Sequence, residues 1–88
     1  MERVDLAKVH GKTRHERWHN GWQLGPFVTF VEVGQLPDGR WYASRYGRGA
    51  SRRDLREGAC VYRREHYARA TARRWMRSVG GSWTAAEG

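Results

Sequence analysis

The sequence predicts an α+β fold in which a small antiparallel sheet of about three strands packs against one C-terminal amphipathic helix. Three observations predict it. Residues 27–33 and 40–46 are rich in β-branched and aromatic side chains and flank Leu36-Pro37-Asp38-Gly39. There Pro fixes φ, Asp can bond the local backbone and Gly can take positive φ, which together read as a β-hairpin. Residues 64–79 place Ala68, Ala72, Trp75, Met76 and Val79 on one stripe of a 3.6-residue helix. The 88 residues include five Trp, four Tyr and two Phe, which concentrate apolar area in few positions, enough for one small core but not for two. The whole of 1–88 is therefore expected to be a single small basic domain.

Taken in order, residues 1–12 carry Val4, Leu6 and Val9 in loose alternation and are expected to form an arm, an extra strand or a short helical turn. Residues 13–25 are dense in Arg, His and Trp, with Asn20-Gly21 as a turn signal. A short strand near 16–24, paired beside 27–33, would give the hairpin the third strand that independent stability needs. Within the hairpin, period-two alternation sets Phe27, Thr29, Val31 and Val33 on one face and Val28, Phe30 and Glu32 on the other. The return strand puts Trp41 on one side and Tyr42 and Tyr46 on the other, so the second face is not plainly polar. After Tyr46, the glycines and arginines of 47–58 read as a loop, in which Ser51 and Asp54 have the spacing of a capping box. The run Ala59-Cys60-Val61-Tyr62 fits a last strand or the approach to the helix. Gly80-Gly81 is expected to end the helix, Trp83 to fold back on its last turn, and 84–88 to form a mobile tail.

Charge is the clearest global property. The chain has 17 basic and 9 acidic side chains, a net +8, which favours polyanionic partners: nucleic acid, anionic lipid or an acidic protein surface. Fifteen of the basic residues are Arg. Codon bias can choose Arg over Lys, but it does not supply the excess of base over acid. There is no apolar run of about 18 residues and no signal-like segment, so no membrane partner is expected and the expected location is cytoplasmic. The lone cysteine, Cys60, reads as a small buried hydrophobe.

Two basic clusters stand out. On the helix, His66, Arg69, Arg73 and Arg77 follow one flank with Arg63 and Arg74 farther round, and Glu65 can pair with Arg69 at i,i+4. Along the hairpin's return strand and the following loop run Arg40, Arg45, Arg48, Arg52, Arg53 and Arg56, interleaved with Trp41, Tyr42 and Tyr46. Guanidinium groups and rings in such a mixture can serve phosphates, base edges and stacking.

Catalytic templates are sparse. His15-Glu16-Arg17-Trp18-His19 formally satisfies H-E-x-x-H. A zincin, however, needs that motif on a long helix with a third ligand, and Asn20-Gly21 argues against a helix here. His10 and His66 complete no ligand set. No Walker loop, no dinucleotide fingerprint and no nucleophile elbow is present, and the acids are scattered. No catalytic residue, cofactor or metal is expected.

The order of strand, hairpin, basic loop, short strand and helix, with Asp38-Gly39-Arg40-Trp41-Tyr42-Ala43-Ser44-Arg45, resembles the AP2-like DNA-binding domains of tyrosine recombinases. The resemblance covers about half the chain. Tyr62-Arg63-Arg64-Glu65 stands where that family often has a threonine-lysine lead into the helix. It implies a sheet face in the major groove, with Arg40, Tyr42, Ser44 or Arg45 near bases and loop arginines on phosphates. The expectation is a small nucleic-acid-binding module without catalysis, duplex DNA before RNA. Its expected contact residues are Arg40, Tyr42, Arg45, Arg48, Arg52, Arg53, Arg56, Arg69, Arg73 and Arg77. The alternative is a phage or mobile-element type of interaction or inhibitor factor whose basic face meets an acidic protein. An enzyme, metal-dependent or His-based, ranks third.

Overall fold

A computed structural model describes residues 2–20, 29–47, 59–79 and 82–85. Among these, six strands form one antiparallel sheet and a single α-helix lies against it. The strands are β1 (Glu2–Val4), β2 (Thr13–His19), β3 (Thr29–Gln35), β4 (Trp41–Gly47), β5 (Ala59–Tyr62) and β6 (Thr84–Ala85), and the helix is α1 (Glu65–Val79). Their spatial order is β1-β5-β4-β3-β2-β6. The α+β class and the C-terminal helix are as the sequence predicts. The sheet is larger than three strands because Ala59–Tyr62 joins it as β5 and both ends of the chain add short edges, β1 on β5 and β6 on β2. Thr84 and Ala85, read as tail, are thus tied to His19 and Trp18 by strand pairing.

The β3–β4 hairpin is the centre. Its turn is closed by the Gly39 N–H donating to the Leu36 carbonyl at 3.0 Å, and the Leu36 N–H donates to the Arg40 carbonyl at 2.8 Å. Gly39 takes φ of +93°, the left-handed conformation that glycine adopts without a Cβ penalty. Asp38 accepts the Arg40 N–H at 3.0 Å, the local side-chain bond that favours Asp in turns. Gly34 is needed for a different reason. A Cβ there would stand 2.5 Å from the Thr13 carbonyl oxygen and 2.5 Å from the Tyr42 hydroxyl.

β2 pairs with β3 through a register shift between Arg14 and Glu16. The extra residue turns both His15 and Glu16 toward the helix side, where His15 contacts Trp41 and Glu16 meets Arg69. Normal alternation then resumes, with Trp18 on the helix side and Arg17 and His19 on the other, against Phe30.

The helix covers one face of the sheet. Val31, Val33, Ala43, Ala68 and Ala72 are buried together, with Trp18, Trp41, Tyr62, Trp75, Met76 and Trp83 packed around them. Small alanines let α1 sit close to the strands, and the tryptophans close the margins. Trp83 folds back as the sequence predicts, its indole N–H donating to the Met76 carbonyl at 3.0 Å. Tyr62 and Thr71 share a 2.6 Å hydroxyl bond that satisfies the buried Thr71 and pins the end of β5 to mid-helix.

The second face is also covered. A 3-10 turn at Leu6–Lys8 brings Leu6 onto Leu36, Tyr42, Ala59 and Val61, with Val4 and Val9 beside them. Cys60 is free and buried, as expected.

Candidate nucleic-acid interface

Burial and ion pairing divide the expected contact residues sharply. Tyr42 is fully buried, and its hydroxyl donates to the Glu32 carboxylate at 2.6 Å. Glu32 is itself only 6 % exposed and has Arg14 at 3.8 Å. Ser44, which the AP2-like resemblance put near bases, is also fully buried. These two positions therefore cannot read a groove. The sequence showed a strand rich in aromatics and basic residues; the Leu6 segment that covers Tyr42 lies far away in the chain.

Arg40 is half-buried and engaged twice, donating to Asp38 at 2.8 Å and to Glu2 at 2.6 Å. Hydrogen bonds from its backbone N–H and then its side chain hold the Asp38 carboxyl below the ordinary carboxylate value, while bonds to Glu2 and Asp38 raise the guanidinium pKa. Arg69 is likewise half-buried, bridging Glu65 at 2.8 Å and Glu16 at 2.9 Å, and those bonds raise its pKa. Both arginines brace the fold. The Glu65 pair follows from helical spacing, whereas Glu16 arrives through the β2 bulge. Arg45 is exposed with its guanidinium 5.4 Å from the Trp75 ring centroid. Arg48, Arg52, Arg53 and Arg56 lie outside the described residues, as does the Ser51–Asp54 capping box.

The helix tells a different story. Its outer face exposes His66, Tyr67, Ala70, Arg73, Arg74 and Arg77. On a helical wheel Ala70 is the middle of this face, with His66, Arg73 and Arg77 to one side and Arg74 and Tyr67 to the other. Exposed Arg63 and Arg64 extend it past the N-terminal end of α1. Among the described residues no carboxylate pairs with Arg63, Arg64, Arg73, Arg74 or Arg77. The acids Glu2, Glu16, Glu32, Asp38 and Glu65 are drawn instead to Arg14, Arg40 and Arg69. Among the described residues, charge is thus segregated: the ion pairs gather on Arg14, Arg40 and Arg69, and none lies along the outer helix face.

The expected contact residues left out Arg63 and Arg74, which the sequence placed on the helix's basic face, and Trp41, which it placed among the rings of the second cluster; Arg64 and Tyr67 were missed as surface features. Tyr67 is 54 % exposed, with its ring 4.2 Å from that of His66. The wheel centred on Ala70 places Arg74 on the same exposed face as Arg73.

The H-E-x-x-H string is on a strand, and His15 and His19 face opposite sides of the sheet, the first against Trp41 and the second against Phe30. They cannot share a metal ion. Among the described residues no three His, Cys, Asp or Glu side chains cluster as a metal site, and no helix is long and apolar enough to cross a membrane.

The fold and this face define a small α+β domain with a six-stranded antiparallel sheet and a cationic helix surface. In comparisons with known proteins, no family model, curated sequence or solved structure matches the chain.

Proposed function

We propose that the protein is a nucleic-acid-binding module without catalysis, that duplex DNA is its target, and that the outer face of α1 is its contact surface. The observation that carries this reading is the segregation of charge. The helix region 63–77 has six arginines and one glutamate, and Glu65 is spent on Arg69. Arginines kept on one helix face repel one another, a cost that phosphate contacts offset.

Shape supports duplex DNA in particular. A 15-residue helix is about 22 Å long and, with side chains, about 10–12 Å across, which fits a B-form major groove about 12 Å wide. Ala70 at the centre of the face allows close approach, and Arg73, Arg74 and Arg77 reach outward to phosphates or to guanine edges. A-form RNA offers only a deep, narrow major groove, into which a helix does not fit. The AP2-like arrangement, a sheet face in the groove, is not the one proposed, because the central strand's Tyr42 and Ser44 are buried.

The test is a fluorescence anisotropy titration of labelled duplex with the protein at several salt concentrations. Micromolar or tighter binding, with log K falling by several units per decade of salt, is expected. Binding that vanishes at physiological salt would overturn the reading and favour an acidic protein partner for the same face.

A further inference from the structure

An open recess of about 550 Å³ lies where β4 and β5 meet the start of α1, lined by Trp41, Arg63, Arg64, Glu65, His66 and Arg69. Its volume is in the range of small-molecule sites. Trp41 is half-buried, fixed by strand pairing to Gln35 on one side and Tyr62 on the other. The His15 ring sits 4.7 Å from the Trp41 ring at a tilt of 49°, which adds a second aromatic beside the recess. The inner wall is internally balanced, because Arg69 is held by Glu16 and Glu65. The rim is not. Arg63 and Arg64 are exposed on the bend between β5 and α1 and have no carboxylate partner among the described residues.

An aromatic ring held by strand pairing, lining one recess with two guanidinium groups that have no carboxylate partner among the described residues, suits a ligand with a flat ring at one end and an anion at the other. Inorganic phosphate would use only the rim, and an uncharged aromatic only the indole. We propose that this recess binds one unpaired, phosphate-bearing nucleotide, its base against Trp41 and its phosphate between Arg63 and Arg64. The proposal rests on the nucleic-acid reading above and adds to it: the domain distinguishes a duplex with an unpaired end from a blunt one. Stacking of a base on an aromatic ring is tolerant of sequence, so any base serves.

The experiment compares a blunt duplex with the same duplex carrying a short 5′-phosphorylated overhang that contains 2-aminopurine. Anisotropy reads affinity, and 2-aminopurine fluorescence reads stacking. The overhang is expected to tighten binding about 5- to 150-fold, the equivalent of one stacked base, and its fluorescence is expected to fall on binding. Trp41→Leu removes that gain and leaves blunt-duplex affinity unchanged, with circular dichroism confirming the fold. Should Trp41→Leu not fold, the fluorescence change in the wild-type protein carries the decision. Free AMP is the third arm. Loss of the overhang gain on adding AMP supports the recess with the free nucleotide sufficient to fill it; no competition, with gain and quenching retained, supports it for a nucleotide within a strand. Equal affinity for both duplexes with unchanged fluorescence overturns the recess and leaves the duplex reading standing. Binding of the overhang DNA alone overturns the duplex reading and supports the recess.

Discussion

Replacing Tyr42 with Phe separates the two roles this residue could play. The ring stays and fills the same space, so no cavity forms; what is lost is the 2.6 Å bond from the hydroxyl to Glu32. A hydrogen bond to a charged group contributes about 1.5–3 kcal/mol. Glu32 keeps Arg14 at 3.8 Å, so it is not left alone and the lower part of that range applies. We expect Tyr42→Phe to cost about 1.5–2 kcal/mol. At roughly 4–8 °C per kcal/mol for a domain of this size, Tm falls by roughly 6–16 °C. Thermal unfolding followed by circular dichroism measures this, and duplex affinity measured below the transition should be unchanged, since Tyr42 is fully buried. A variant that kept its Tm within a degree or two but bound DNA more weakly would refute the reasoning and put the hydroxyl at the interface.

Gly34→Ala is expected to destabilise more than an ordinary strand substitution. The new methyl would collide with the Thr13 carbonyl oxygen and the Tyr42 ring, and overpacking of this kind costs about 1–3 kcal/mol or more; an unchanged urea midpoint would contradict this. Asp38→Asn tests the turn against pH. Because bonds from Arg40 hold the Asp38 pKa below its ordinary 3.8, its stabilising contribution is fully present above that value and disappears as pH falls through the lowered pKa. Urea unfolding from neutral to acid pH should therefore show a gap between wild type and variant that closes in acid, and a gap that widens there would contradict it.

The hairpin was legible because its turn chemistry is local: Pro37, Asp38 and Gly39 each act within four residues, and the structure forms the turn they specify. The helix and its stripe were legible for the same reason, as Ala68 and Ala72 repeat at one-turn spacing and lie buried on the sheet. The edges were not, because β1 and β6 have three and two residues, too few to show a period. β2 was only partly legible. It begins at Thr13 rather than near Glu16, and its bulge breaks the alternation that identifies a strand. At the candidate interface the error at Tyr42 came from a partner distant in sequence, Leu6, which turns a surface of the sheet into core. Arg40 shows both sides: Asp38 is two residues away and foreseeable, while Glu2 is 38 residues away and is brought near by β1 pairing at the edge of the sheet. Aromatic and basic alternation identifies a strand, but which of its faces stays open depends on what the chain ends do.

The central claim, that the outer face of α1 holds duplex DNA, is tested most directly by the salt dependence of binding in the triple variant Arg73→Ala, Arg74→Ala, Arg77→Ala. Each phosphate contact contributes about 0.9 to the slope of log K against log salt for B-form DNA. If these three arginines make such contacts, the slope becomes shallower by about 2–3 relative to wild type, and affinity falls most at low salt. A slope and affinity equal to wild type, in a variant that unfolds at the same temperature, would contradict the account and move the contact surface off the helix.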